Sequence, residues 1–383
     1  MVFLYKAVPY ADALRLIKKE AIAELAVMRK RPIEAVGQVL ASEVAIPNNA
    51  PPHPTVAFDG YAVRSEDTPG TLVVIDRDKY YGEAELERGY AIRVNTGDPL
   101  PKGCDAVAPL ESVIMVDENH VKVPRIPRGL NVDEPGAYGV KGEVIANRNC
   151  PLGYATAVVL DYMGLMVDVY EKPRVILMSI HGGYDVTGLL FAKLISHYAP
   201  WVDYKYIRIA TGLSYDELSS HLRGYHAGII IGGAGPSRND LIEKFVDKGI
   251  GNVVFRGVDI KGGRPSSLIK LNGNPVLWIS GPPATFSSTF FLLALPFLKS
   301  LGKCEEQCSI GYLKAKLMSE YPHDRPTGLY VKLVYKEDGV EAYPLSPEKQ
   351  RIMNYLLIPR SHGVAVITSR TSHGSFVPVF YLP

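Results

Sequence analysis

Leu14, Ile17, Ala21, Leu25 and Met28 recur at intervals of three and four, with Lys18, Lys19 and Glu20 set between them. That period predicts one amphipathic helix over residues 10–29, closed by Pro32. Residues 36–46 read as a short strand, and PNNAPPHPT (47–55) as a connector that cannot be helical. From Ala57 to Val144 the texture changes. TLVVID, YAIRVN, DAVAPL, SVIMVD and HVKVPRI are short β-rich runs broken by Gly, Pro and Asp, which predicts a small all-β module. A short helix is expected over Thr156–Met163. Past Pro173, VILMS (175–179), GIIIGG (228–233) and VLWIS (276–280) are nearly continuous apolar runs with helical stretches between them. Buried strands alternating with helices predict a parallel α/β sheet covered on both faces. Ser214–Glu217 and Ser237–Asp240 read as capping boxes. A long helix opens near Thr285 and ends near Gly302 as its C′ residue, with Pro296 expected to kink or stop it. LYVKLVY, VEAYPL, GVAVITS and FVPVFYLP predict a small closing β domain.

Composition narrows the class. The 383 residues amount to two or three domains' worth, with 47% apolar and 21% charged residues, an ordinary globular profile. Lys+Arg 42 against Asp+Glu 40 leaves a formal charge of +2, so no bulk attraction to nucleic acid or an acidic membrane is expected. The most apolar stretch, Phe286–Leu298, is too short to span a membrane, and the N-terminus does not read as a signal peptide. Cys104, Cys150, Cys304 and Cys308 do not make a disulfide framework. Cys304 and Cys308 form a lone C-x3-C, for which free thiols are a blander reading than zinc. A soluble protein of a reducing compartment, the cytoplasm, is expected.

Chemistry gathers at the ends of the apolar strands. In IIIGGAGPSRND (229–240) a strand runs into a Gly-rich turn that opens a helix. Gly232, Gly233 and Gly235 would let the backbone approach a ligand with bare N–H groups, and the helix start at Ser237 adds more donors for an anion. A plain tight βα turn is the alternative, and the spacing fits neither a dinucleotide fingerprint nor a P-loop. Lys261-Gly262-Gly263-Arg264 offers two cations flanking two glycines, suited to an oxyanion or simply a basic surface turn. Ser280-Gly281-Pro282-Pro283-Ala284-Thr285 is a third loop between strand and helix. Three such loops should face one sheet edge, where ligands of open α/β sheets sit. In the β-rich half, Asp59 before Gly60 reads as an Asx turn or as a ligand for a hard cation such as Mg2+. The loop from Asn95 to Val107 reads as turn chemistry.

DGYAVR (59–64), TGDPLPKGCDAVAPLE (96–111), GLNVDEPGAYGVKGEVI (129–145), GGAGPSRND (232–240), VDIKGGRP (258–265), SGPPA (280–284) and GVAVI (363–367) occur in that order. The series resembles the molybdopterin molybdenumtransferase family, the MoeA proteins and the gephyrin E domain, over nearly the whole chain. The resemblance implies an α/β and β multidomain fold in four parts. These are a segmented linker domain (1–56 and 142–172), a β-rich domain (57–141), a parallel α/β domain like the molybdopterin adenylyltransferases (173–302) and a C-terminal β-barrel domain (303–383). It implies a homodimer whose cleft joins the α/β domain of one copy to the β-rich domain of the other. It also implies adenylylated molybdopterin and molybdate or tungstate as substrates, Mg2+ as cofactor, and an adenylyltransferase as a candidate partner.

Carried over residue by residue, the resemblance assigns catalysis to Asp59, Thr96, Asp240, Lys261 and Arg264, with Asp59 and Asp240 on the metal. Arg264 stands for the second lysine of the family's K-P-G-K-P. It assigns substrate binding to Gly232, Gly233, Gly235, Ser237, Gly281, Pro283, Thr285 and Arg325. The chain departs from the family where T-G-D-E-L becomes Ile180-His181-Gly182-Gly183-Tyr184, where G-E-D becomes Gly136-Ala137-Tyr138, and where a serine pair becomes Ile352-Met353. The carboxylates of the first two motifs are thereby lost, which weakens any Mg2+ site. Two functions of different class follow: a metal-inserting transferase that releases AMP, or a paralogue that binds molybdopterin or a partner protein without turnover.

Overall fold

The computed structural model describes residues 6–75, 85–181, 183–209, 214–233, 242, 251–305, 308, 311–345 and 354–382. The chain divides into two compact units, one of Met1–Ser42 with Asn147–Pro383 and the other of Glu43–Ala146.

The larger unit is built on a six-stranded sheet. In chain order its strands are β1 (Arg174–Ile180), β2 (Asp203–Ile209), β3 (Ala227–Ile231), β4 (Asn252–Arg256), β5 (Ser267–Leu271) and β6 (Asn274–Ile279). They lie in the order β2-β1-β3-β6-β5-β4. The first four are parallel, and β5 and β4 run antiparallel at one edge, so the sheet is mixed where a parallel one was expected. Only β1, β3 and β6 were legible as apolar runs. Strand alternation sorts their side chains between two cores. Val175, Leu177, Ile229, Ile231, Leu277 and Ile279 enter one. Ile176, Met178, Ile230, Val276 and Trp278 enter the other. Burial on both faces is why these runs read as continuously apolar.

Helix α1 spans Tyr10–Glu20 and stops well short of residue 29. Its apolar period continues through Leu25 and Met28, but Val27–Lys30 is instead a strand paired with Val167–Tyr170. Tertiary pairing overrides the local period there. Residues 36–46 give only isolated bridges at Val39 and Leu40 and a two-residue strand at Val44–Ala45, not one strand. Helix α2 (Tyr154–Tyr162) lies where a helix was expected. Helices α3 (Val186–Tyr198) and α4 (Tyr215–Leu222) flank the sheet strands in sequence, and Ser214 and Glu217 close the capping box on α4.

The helical stretch from Pro283 to Leu301 continues through Pro296. In the turn before it the Leu295 N–H reaches back to the Phe290 carbonyl, a π turn that makes room for the proline ring. Gly302 has φ −84° and is not in the left-handed region; Lys303, at φ 56°, is. Gly302 is required by packing instead, because an added Cβ would lie 2.2 Å from Trp201. This stretch is long and apolar enough to cross a membrane by length and composition, but 78% of its apolar window is buried inside the protein.

The C-terminal strands close a five-stranded barrel in the order Tyr312–Leu317, Gly339–Pro344, Thr327–Lys336, Gly363–Ile367, Phe376–Tyr381. Its interior holds Leu317, Val331, Ala342, Ala365 and Val379. Tyr312–Leu317 was not among the runs read as strands, although Leu313, Ala315 and Leu317 alternate with lysines at strand period.

The expectation of free thiols fails at one pair. Cys150 and Cys308 form a disulfide over a separation of 158 residues. The Glu305 N–H bonds the Asn149 carbonyl at 2.9 Å, and this pairing brings the two segments together. Cys308 is thus not half of a zinc pair. Cys304 is free and buried, its thiol pushed up to about 11 by burial.

The unit Glu43–Ala146 holds a second six-stranded sheet, in the order Ala106–Pro109, Gly60–Val63, Tyr90–Val94, Gly70–Ile75, His120–Val123, Ile114–Asp117. The DGYAVR motif supplies its buried strand Gly60–Val63. Gly60 must be glycine, because a Cβ there would fall 2.1 Å from the Ala108 carbonyl oxygen.

Candidate functional site

In the larger unit, three strand ends meet. Gly232 follows β3 with φ 89°, and a Cβ on it would lie 2.8 Å from the Ile180 carbonyl at the end of β1. Gly281 follows β6, and a Cβ on it would lie 3.2 Å from the Gly232 Cα. A side chain at Gly232 would strike the Ile180 carbonyl and one at Gly281 would press on Gly232, so this junction of strand ends, the glycine cleft, is kept free of side chains. Thr187, in the first turn of α3, donates its hydroxyl to the Gly281 carbonyl at 2.8 Å. The expectation of bare N–H groups does not hold at Gly232. Its N–H donates to the Ile279 carbonyl at 3.0 Å, and its carbonyl accepts from Trp278 Nε1 at 2.6 Å. Gly232 therefore gives the cleft its closeness and not a donor.

The other two loops adjoin this edge. Pro283 opens a tight turn in which the Thr285 hydroxyl donates to the Pro282 carbonyl at 2.7 Å, so Thr285 is buried and engaged. A Cβ on Gly262 would come within 3.5 Å of Thr285 Cγ2, which places the Lys261–Arg264 loop against that turn. Lys261 and Arg264 are exposed. The Lys261 N–H donates to the Pro326 carbonyl at 2.8 Å, and its ammonium stands 6.0 Å from the centre of the Tyr321 ring. Arg325 Nε pairs with Asp259 Oδ1 at 2.7 Å. The structure thus brings Gly232, Gly281, Pro283, Thr285, Lys261 and Arg325 into one run of contacts, with Gly233 beside Gly232 and Arg264 on the same loop as Lys261. Gly235, Ser237 and Asp240, like Ile352 and Met353, lie outside the described residues.

In the unit Glu43–Ala146, Asp59 and Thr96 meet across 37 residues of sequence. The Thr96 N–H and hydroxyl both donate to Asp59 Oδ1, at 2.7 and 2.9 Å. This is a long-range clamp and not the Asx turn into Gly60. In the same loop the Asn95 N–H donates to Asp98 Oδ2 at 2.8 Å. The Thr96 backbone bond, then its hydroxyl bond, hold the Asp59 carboxyl below the usual carboxylate range, with a smaller contribution from the charge of Arg93. Among the described residues no group of three or more His, Cys, Asp or Glu is placed to hold a metal. Both Thr96 bonds end on Oδ1, which leaves Asp59 Oδ2 as one oxygen ligand. Mg2+ keeps several waters and takes one or two carboxylates with substrate phosphates, so this single carboxylate fits such an ion.

Several site-forming residues escaped the sequence reading. Thr187, Trp278 and Asp259 anchor predicted residues through single hydrogen bonds, and no local pattern marks them. Asp185, near the missing family acids, is the N-cap of α3. It is 3% exposed, accepting from the Gly188 N–H at 2.8 Å and the Tyr206 hydroxyl at 2.7 Å. A capping aspartate was recognisable from sequence; its burial was not.

Comparison with known proteins agrees with this architecture. The family described as MoeA N-terminal region (domain I and II) matches residues 8–164. The molybdopterin molybdenumtransferase of Haemophilus influenzae is 24% identical over 294 residues, 70% of this chain and 71% of that protein. The protein of the same name from Nostoc sp. is 23% identical over 381 residues, 91% of this chain and 87% of its own length. The crystal structure of the molybdopterin biosynthesis MoeA protein from Pyrococcus horikoshii superimposes with a TM-score of 0.75 at 24% identity, covering 98% of this chain and 99% of that one. Residues 8–164 thus match the MoeA N-terminal region, and the full-length relatives and solved structures support a MoeA-family member.

Proposed function

We propose that this chain acts in molybdenum cofactor biosynthesis as a transferase that inserts molybdate or tungstate into adenylylated molybdopterin and releases AMP. The observation that carries the reading is the glycine cleft. Gly232 and Gly281 exclude side chains from three converging strand ends, beside a loop bearing Lys261 and Arg264. In this reading the cleft holds the pterin nucleotide, Lys261 and Arg264 hold the oxyanion, and Arg325, Pro283 and Thr285 shape the adjoining wall. Gly233, Gly235, Ser237 and Asp240 take the roles their motif implies. Catalysis rests on positioning and on charge placed where it develops.

Asp59, oriented by Thr96, would hold Mg2+ through its free oxygen, and the ion would offset phosphate charge. The chain works as a homodimer, with Asp59 and Thr96 serving the cleft of a second copy. Tyr154, Val158, Val159 and Tyr162 support association: they are 69%, 44%, 54% and 92% exposed on α2, and exposed apolar faces of this kind mark contacts. The four-part division at 1–56 with 142–172, 57–141, 173–302 and 303–383 belongs to the same reading, as do a cytoplasmic setting and receipt of substrate from an adenylyltransferase.

The deciding experiment incubates the protein with adenylylated molybdopterin, molybdate or tungstate, and Mg2+, and follows AMP by chromatography. Oxyanion-dependent AMP release is expected. Tight binding of the nucleotide with no release under any of these conditions would replace the transferase by the binding paralogue. A monomer by light scattering at micromolar concentration would remove the two-copy site.

A further inference from the structure

Gly232 cannot supply an anion donor, but side-chain donors stand on the segment between β1 and α3 and on β2 beside it. Arg208, one residue before the end of β2, donates through Nη1 to the Gly183 carbonyl at 2.8 Å. His181 follows β1, and its Nδ1 accepts the Gly183 N–H at 3.1 Å. A ring nitrogen that accepts carries no proton, so the neutral imidazole is protonated on Nε2 and presents a donor at its far end. Both side chains are exposed and both are pinned to the same residue. The segment they hold begins at Ile180, whose carbonyl abuts Gly232, and leads to Thr187, whose hydroxyl is bonded at Gly281. It therefore borders the cleft at both ends.

The only acid on this segment is Asp185, which is buried with one oxygen on the Gly188 N–H and the other on the Tyr206 hydroxyl. Nothing acidic on the segment is left to attract a divalent cation. A guanidinium and an imidazole N–H, by contrast, are what a phosphate oxyanion requires. Tyr184, 78% exposed on the same segment, offers an aromatic face on which a base can stack, which favours a nucleotide over free phosphate.

We propose that His181 and Arg208 form a metal-independent site for the phosphate monoester of a nucleotide at the edge of the glycine cleft. This deepens the transferase reading and rests on it for the nucleotide's place in the reaction, but phosphate recognition is tested without turnover. The full-length protein is titrated calorimetrically with AMP, adenosine and inorganic phosphate, in EDTA and again in Mg2+. AMP should bind in EDTA, more tightly than adenosine or phosphate, and Mg2+ should change its Kd by less than about threefold. Arg208→Gln should weaken AMP by about 10- to 150-fold, the range for a charge-assisted hydrogen bond, and leave adenosine unchanged. His181→Phe should also weaken AMP, and His181→Gln, which keeps a side-chain N–H, should restore most of it.

The assignment is overturned if wild type fails to bind AMP in EDTA at millimolar concentration, or if binding requires Mg2+. It is equally overturned if Arg208→Gln leaves AMP affinity intact, or if it weakens adenosine as much as AMP, which would mean a displaced loop. If AMP binds as described but adenylylated molybdopterin releases no AMP, the transferase reading fails and the phosphate site stands.

Discussion

The glycine cleft and the Asp59–Thr96 corner solve opposite problems. The cleft is made by what is absent: a Cβ on Gly232 would collide with the Ile180 carbonyl and one on Gly281 would press tightly on Gly232, so the position of the main chain is the functional feature. The corner is made by what is added, one exposed carboxylate held by a hydroxyl and an amide from a residue 37 positions away. Cleft and corner also differ in charge. Exposed cations border the first, while the second centres on an anion kept ionised by its partners. In a backbone-built cleft the constraint falls on the glycines, most sharply on Gly232 with its positive φ and close carbonyl. A side-chain corner depends on two identities and little else.

The two units differ first in how they are tied. The larger unit contains the Cys150–Cys308 bond, and Glu43–Ala146 holds only Cys104, a thiol pushed up to about 12 by burial. Reduction with dithiothreitol should therefore destabilise the larger unit by ~2–4 kcal/mol, typical for a disulfide closing a long loop. Hydrogen exchange should show amides of β1 and β3 losing protection while those of Gly60–Val63 keep theirs. Equal loss in both would mean that the units do not unfold separately.

Next in size is Arg264→Ala. Loss of a charge-assisted oxyanion contact should weaken molybdate or tungstate binding by about 10- to 150-fold in calorimetry. The same titration on Asp59→Asn should be unchanged, because Asp59 belongs to the corner. A normal Arg264→Ala isotherm would move the oxyanion to another part of the cleft.

Asp59→Asn separates charge from geometry. Asn Oδ1 can still accept both Thr96 bonds, so stability, dimerisation and nucleotide binding should be preserved. AMP release should fall at least about tenfold, equivalent to ~1.4 kcal/mol of transition-state stabilisation. Full activity in this variant would reduce the corner to a structural clamp.

The smallest effect is on titration. Thr96→Val removes the hydroxyl and keeps the backbone N–H, so the Asp59 carboxyl should move part of the way back toward its ordinary value. A carboxylate whose pKa is lower folded than unfolded contributes stability above the unfolded value and loses it as pH falls through the folded one. The wild-type corner should thus stay charged to lower pH than the variant. Carboxyl NMR shifts followed against pH read this directly, and identical titrations would assign the depression to the backbone bond alone.

How much of this was legible varied with the kind of information involved. The runs 175–179, 228–233 and 276–280 identified the sheet core because two-sided burial writes itself into composition. β2, β4 and β5 were missed: β2, DYKYIRI, is half exposed and mixes charge with aromatics, and β4 and β5 belong to an antiparallel edge. The helix assigned to 10–29 failed because its second half is claimed by a distant strand, and no local period reports a partner 140 residues away. Motif order was enough to single out Asp59, Thr96, Lys261 and the glycines as candidates. It could not say that Asp59 and Thr96 touch, that the Gly232 N–H is already spent, or that His181 and Arg208 converge on Gly183.

The sequence by itself determined which segments are buried, where the chain turns and which family its motifs resemble. Those properties follow from side-chain polarity and backbone freedom, which act over a few residues. Tertiary structure alone decided the pairing of Cys150 with Cys308, the antiparallel edge of the sheet, the clamp on Asp59 and the collision limits at Gly232 and Gly281. Each of these depends on a distance between groups far apart in the chain, and packing sets such distances only once the whole unit has folded.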